Sequence, residues 1–181
     1  MKIQRIRVRQ KHLSLNQPYA LSGGRLKFDS LDSTIVRIDT DTEINGLGEG
    51  CPWGHTYLPA FGEGLRAALN LLAPALLGQD PGDIDRLNRL MDRVLPGHGY
   101  AKSPLDIALW DIAGKRTDKP LYQLLGGRHG DHVDLVSSIA TGSAEEMVSR
   151  IETARANGLR HHSAKIGGID VGTDIGRINA I

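Results

Sequence analysis

The chain has 181 residues, 40% of them hydrophobic, enough to bury a real core as one domain or two small ones. Its 22 basic and 21 acidic side chains leave a formal charge of +1, so no long-range field is expected to draw in nucleic acid or an anionic membrane surface. The lone cysteine, Cys51, excludes an internal disulfide and points to a reducing, cytoplasmic setting.

The chain opens with MKIQRIRVRQ, where Ile3, Ile6 and Val8 interleave with basic residues; this predicts a strand over 2–8 and lacks the apolar core of a signal peptide. A polar loop is expected over 16–28, with Ser22, Gly23 and Gly24 at its flexible centre. Alternation over 33–39 predicts a second strand, and a polar turn at 40–43 leads into the Gly-Leu-Gly-Glu segment at 46–49, which completes a small antiparallel sheet. Gly46, Gly48 and Gly50 lack the spacing and following helix of a dinucleotide site.

Helices are predicted over 58–77 and 83–95, separated by residues 78–82. The apolar run at 67–77 is interrupted by Asn70 and Pro74 and falls well short of the roughly 20 residues that span a bilayer. A third helix is expected from near Tyr100, with Leu105, Ala108, Leu109 and Ile112 on one apolar face. Asp111 and Lys115 form an i,i+4 pair worth roughly 0.2–0.5 kcal/mol on a helix surface. Strands first and helices afterwards indicate an α+β domain. Beyond Gly127 the pattern becomes strand 133–140, helix 143–157 and strand 159–166, a βαβ unit, with a further helix starting over 170–181.

The segment AKSPLDIALWDIAGKRTDKPLYQLLGG, residues 101–127, resembles the mandelate racemase/muconate lactonizing enzyme branch of the enolase superfamily. The residues that carry the resemblance include Ala101, Ser103, Leu105, Asp106, Ala108, Asp111, Gly114, Lys115, Pro120, Leu121, Leu124, Leu125 and Gly126. Pro104 departs from the small residue usual there, and a proline near a helix start is tolerated because its missing N–H would be unpaired anyway. The resemblance implies an enolase-like capping domain over 1–127 and the first βαβ portion of a TIM-type barrel over 128–181. A complete barrel needs about 250 residues, so the barrel is expected to be incomplete, stopping after about two strands.

The resemblance implies chemistry in which a divalent ion, Mg2+, holds the substrate carboxylate while a lysine base removes the α-proton. It places the three metal-binding carboxylates on later barrel strands, so no metal is expected to be held by this chain alone. Asp170 and Asp174 read as helix N-terminal residues favoured by the dipole. Lys165, in SAKIGG, matches the second lysine of the family's K-x-K motif and is the expected catalytic base; the first lysine is replaced by Ser163. A lone lysine at a strand end is otherwise a solvated one.

The resemblance also places substrate-specificity loops at 17–26 and 51–58. The second reads CPWGHTYL and, with HGYAKS at 98–103, is similar to hydroxyproline and proline-betaine dehydratases or epimerases. Tyr57 and Trp53 are candidate aromatic faces for a ring ammonium, with covering the core as the alternative for both. His55 is a candidate site residue with no companion ligand in its loop, and the adjacent His161 and His162 must point to opposite faces of a strand. The implied activity is cis-3-hydroxyproline dehydration, with proline-betaine epimerisation or action on another carboxylate as the alternatives. The expected partners are a small carboxylate or amino-acid substrate and, at full length, further copies of the chain. From a different class, the chain is a noncatalytic fragment with exposed strand edges, and the isolated 181 residues are expected to have no turnover.

Overall fold

The computed structural model describes residues 1–21, 26–56, 58–167 and 170–181. Strands β1 (Ile3–Leu21), β2 (Leu26–Thr40) and β3 (Asn45–Gly50) form one sheet in that order. Residues 22–25 are too few for a parallel crossover, so β1 and β2 run antiparallel. β2 pairs antiparallel with β3 from Thr34 opposite Gly50 to Asp39 opposite Asn45.

Both leading strands are longer than the sequence suggests, and most of the expected loop at 16–28 is strand. Paired strands satisfy each other's backbone groups even where their side chains are polar, which composition alone does not reveal. The chain folds as two compact units, Met1–Leu13 with Leu31–His129, and Ser14–Ser30 with Gly130–Ile181.

In the first unit, α1 (Gly62–Leu76), α2 (Ile84–Val94) and α3 (Gly99–Thr117) supply the core, followed by a single turn, α4 (Leu121–Leu124). Helix α1 starts four residues later than expected: residue 58 precedes Pro59, which disfavours helical backbone, and Phe61 at the N-cap is extended. Its buried residues Leu65, Leu69, Leu72 and Leu76 share one cluster with Val36, Ile38, Leu87, Met91, Leu105, Leu109 and Ile112. The apolar face expected for α3 is fully buried.

Pro104 lies inside α3, a full turn beyond its start, rather than at a free N-terminus. Its missing N–H therefore does remove a helical hydrogen bond. The compensation is packing: Pro104 is buried, and β3 approaches so closely that a Cβ on Gly48 would lie 2.0 Å from the Pro104 carbonyl oxygen. A Cβ on Gly46 would likewise meet the Ala108 carbonyl oxygen at 2.0 Å. These glycines let β3 lie directly against the α3 backbone. The Asp111–Lys115 pair is also more than surface decoration, because Asp111 Oδ2 accepts the Leu47 N–H at 2.9 Å and Lys115 Nζ donates to the Asn45 carbonyl at 2.9 Å.

In the second unit, β4 (Val136–Ile139) and β5 (His161–Ala164) pair in parallel, connected through α5 (Ala144–Ala156), and α6 (Val171–Ala180) follows. This is the expected βαβ unit with shorter strands. Ser143 and Glu146 form a reciprocal capping box at the start of α5, and Ile139, Met147 and Ile151 make the small core beneath.

Candidate active site

The parallel register sets Ser137 opposite His162, Ser138 opposite Ser163 and Ile139 opposite Ala164. Successive strand residues face opposite ways, so Ser137, Ile139, His162 and Ala164 share the face that packs on α5. Ile139 is 2% exposed there, whereas Val136, Ser138, His161 and Ser163 on the other face are exposed. His161 and His162 therefore do point apart, and His162 Nδ1 lies 2.6 Å from Ser137 Oγ.

Lys165 follows β5 by one residue, and its N–H continues the ladder by donating to the Ile139 carbonyl at 2.9 Å. Two residues on from Ser163, it keeps the open face by the same alternation. Lys165 is half-buried, and no acidic side chain pairs with it among the described residues. The Thr141 hydroxyl lies 3.4 Å from the Lys165 carbonyl oxygen, which ties the two connections after β4 and β5 together.

Sequence reasoning missed Tyr19, near the end of β1, whose hydroxyl lies 2.5 Å from Ser138 Oγ. That contact brings a phenol to the open face that also carries Ser163 and, by alternation, Lys165. Counting alternation across the two strands would have singled out Ser138, but nothing local links residue 19 to residue 138.

The loop at 51–61 belongs to the first unit. Its root is held by the short Ser33 Oγ to Glu49 Oε1 hydrogen bond of 2.5 Å and by Arg66, which donates to both carboxylate oxygens of Asp32 at 3.0 and 2.9 Å. The Arg66 hydrogen bonds hold the Asp32 carboxyl below the usual carboxylate range despite partial burial, with further help from Gln10. Burial, reinforced by the charges of Glu49 and Asp32, pushes the Cys51 thiol up, away from reactive thiolate character.

Trp53 is 37% exposed and, with Cys51, Pro52 and Leu58, lines a recess of about 160 Å³. It is thus neither core nor isolated. His55 is exposed, and Tyr57 lies outside the described residues. Residues 98–103 form the start of α3, where His98 adopts a left-handed conformation with φ 54° and Lys102 is buried in an ion pair of 2.6 Å with Asp92. A larger groove of about 810 Å³ lies along α3 and α4 in this unit, lined by Leu47, Ile107, Trp110, Leu121 and Leu125 among others.

The acidic residues after Lys165 do not fit a divalent ion. Asp170 caps α6 by accepting from the Thr173 hydroxyl at 2.6 Å and the Thr173 N–H at 2.9 Å, and these bonds hold its carboxyl low. Asp174 accepts from the Gly167 N–H and from Arg177. Among the described residues no group of three or more His, Cys, Asp or Glu side chains is placed to hold a metal ion. No helix among them is long and apolar enough to cross a membrane.

Residues 3–126 match the family described as mandelate racemase / muconate lactonizing enzyme, N-terminal domain. The chain is 45% identical over 181 residues to the cis-3-hydroxy-L-proline dehydratase of Roseibium aggregatum, covering 99% of this chain and 49% of that protein. It is 32% identical over 181 residues to the N-succinyl-L-Arg/Lys racemase of Bacillus cereus, of which it covers 48%. Among solved structures, an enolase-superfamily member from Roseovarius nubinhibens complexed with magnesium superposes with a TM-score of 0.88 at 55% identity, covering 99% of this chain and 48% of that one. The chain thus spans about half the length of the relatives it matches.

Proposed function

Because the chain belongs to the mandelate racemase/muconate lactonizing enzyme family, with an enolase-like capping fold followed by the first strands of a TIM-type barrel, we propose that it contributes the base of an α-proton abstraction. The observation that carries this reading is the placement of Lys165 at the carboxyl end of β5, on the open face and without an acidic partner among the described residues. Active sites of barrel enzymes sit at that end of the strands.

The substrate class is a small amino-acid carboxylate, and the reaction favoured is dehydration of a cis-3-hydroxyproline. Support comes from the identity to the Roseibium protein across nearly the whole chain. Lys165 Nζ, acting as the base, takes the α-proton; the electron pair left on the α-carbon forms the new double bond as the C–O bond to the β-hydroxyl breaks, and the proton returned from Lys165 lets the hydroxyl leave as water. Ser163 lacks the charge and basicity of a second lysine, so it is assigned to substrate contact rather than proton transfer. Trp53, His55 and Tyr57 are assigned to substrate binding from the capping loop.

Enolase-superfamily relatives bind magnesium, as the Roseovarius structure illustrates. The described residues of this chain do not fit that ion, so stabilisation of the developing enediolate is not assigned to them. In the same proposal the capping domain is 1–127 and the barrel portion 128–181, supported by the family match ending at residue 126. The lone Cys51 supports a cytoplasmic location, and association with further copies at full length rests on the family resemblance alone.

A second reading, epimerisation, is favoured by the Bacillus racemase and by other epimerases among the relatives. Proton NMR in D2O with cis-3-hydroxy-L-proline and magnesium separates the two: dehydration loses water, whereas epimerisation retains the hydroxyl and inverts the α-carbon. The 181-residue chain itself is expected to show no turnover and no magnesium binding heat by calorimetry. At full length, Lys165→Ala is expected to abolish α-proton exchange. Undiminished exchange in that variant would remove Lys165 from the chemistry.

A further inference from the structure

Lys165 opens the connection that follows β5, and one buried ion pair on α6 grips both that connection and the one that follows β4. Arg177 is 7% exposed, one of few buried charged residues in the described chain. Its Nη1 donates to Asp174 Oδ1 at 3.0 Å, while its Nε donates to the Gly142 carbonyl at 2.9 Å in the connection after β4. The other oxygen of Asp174 accepts the Gly167 N–H at 2.8 Å, two residues beyond Lys165. Gly167 has φ +96°, a left-handed turn that a glycine adopts without a Cβ penalty. The Lys165 carbonyl also faces Thr141, next to Gly142.

Stability alone is a poor reason for this arrangement, because the cost of removing two charges from water often exceeds what their pairing returns. The guanidinium fork instead provides two donors in fixed directions, which a single ammonium cannot reproduce. We propose, on the reading of Lys165 as the base, that Asp174 and Arg177 are positioning residues: by pinning Gly142 and Gly167 they fix the backbone that aims Lys165 across the open face of β4 and β5. Neither side chain takes part in proton transfer.

The test uses Asp174→Asn and Arg177→Lys in the 181-residue chain, with amide hydrogen exchange followed by NMR. Both substitutions should accelerate exchange at Lys165 and Gly167 by about tenfold or more, since each removes a charge-assisted hydrogen bond. Amides of Met147 and Ile151 in α5 should change by less than about twofold, because local opening is separable from global unfolding. Wild-type protection in Arg177→Lys would show that charge and bulk suffice, and equal acceleration throughout α5 would show general support; either result overturns the proposal.

A second readout is α-proton exchange by the full-length protein, split into kcat and KM. Both variants should lower kcat by about tenfold or more with KM within about twofold, and an unchanged kcat would refute positioning of the ammonium. Failure of the functional reading has a different signature: a full-length protein without α-proton exchange while these local effects persist.

Discussion

Replacing Gly48 with alanine adds one methyl group where β3 meets α3, and the structure offers it no space. The new Cβ would lie 2.0 Å from the Pro104 carbonyl oxygen, 2.9 Å from its carbonyl carbon and 3.1 Å from the Ala108 nitrogen. All three are backbone atoms of a helix, so no side-chain rotation relieves the overlap. Carbon and oxygen need more than about 3 Å, so strand and helix must part by roughly 1 Å, beyond what close-packed interiors absorb without loss. That separation also stretches the Leu47 to Asp111 and Lys115 to Asn45 hydrogen bonds.

Overpacking usually costs about 1–3 kcal/mol, and the rigid obstacle together with the strained hydrogen bonds places Gly48→Ala at about 3 kcal/mol or more. In urea this corresponds to a midpoint lower by about 1 M or more. Both tryptophans, Trp53 and Trp110, belong to the first unit, so tryptophan fluorescence follows the affected core. Gly99→Ala is the control: nothing lies within 4 Å of its added Cβ at the start of α3, and a change within about 1 kcal/mol, neutral or stabilising, is expected. If Gly48→Ala shifted the midpoint no more than Gly99→Ala, close backbone approach would not be what the β3 glycines provide.

Ser143→Ala removes half of the α5 capping box, whose bonds measure 3.2 Å to the Glu146 N–H and 3.0 Å from the Ser143 N–H to Glu146 Oε2. A loss of about 0.5–2 kcal/mol in the second unit is expected, with Ser143→Gly costing only a few tenths, read from urea unfolding by NMR of the Met147 amide. The Asp32–Arg66 pair should carry acid sensitivity. A carboxyl held low when folded contributes stability above its unfolded value, near 3.9, and loses it as pH falls through the lower folded value. Arg66→Met should therefore cost roughly 1–3 kcal/mol at pH 7 and progressively less below about pH 4. An unchanged gap between wild type and variant down to about pH 2 would disprove the linkage.

Family, element order and the βαβ unit were legible because they rest on local patterns: the ordered residues of 101–127, the apolar face of α3 and the capping residues of α5. The same local logic correctly sent His161 and His162 to opposite faces and gave Asp170 a capping role. It placed Pro104 too near the helix start and read much of the long polar strands as loop, because a helix boundary and a strand pairing depend on partners elsewhere in the chain.

The sequence by itself thus determined which side chains are chemically available, Lys165 foremost, and the periodicities that make each helix. Only the tertiary structure decided that Gly48 must leave room for the Pro104 carbonyl, that Tyr19 meets Ser138, and that Arg177 spans from Asp174 to Gly142. Tyr19 and Ser138 stand 119 positions apart, and Gly142 and Arg177 stand 35 apart. No pattern along a chain encodes such contacts, because distance in space becomes defined only once the apolar faces have packed.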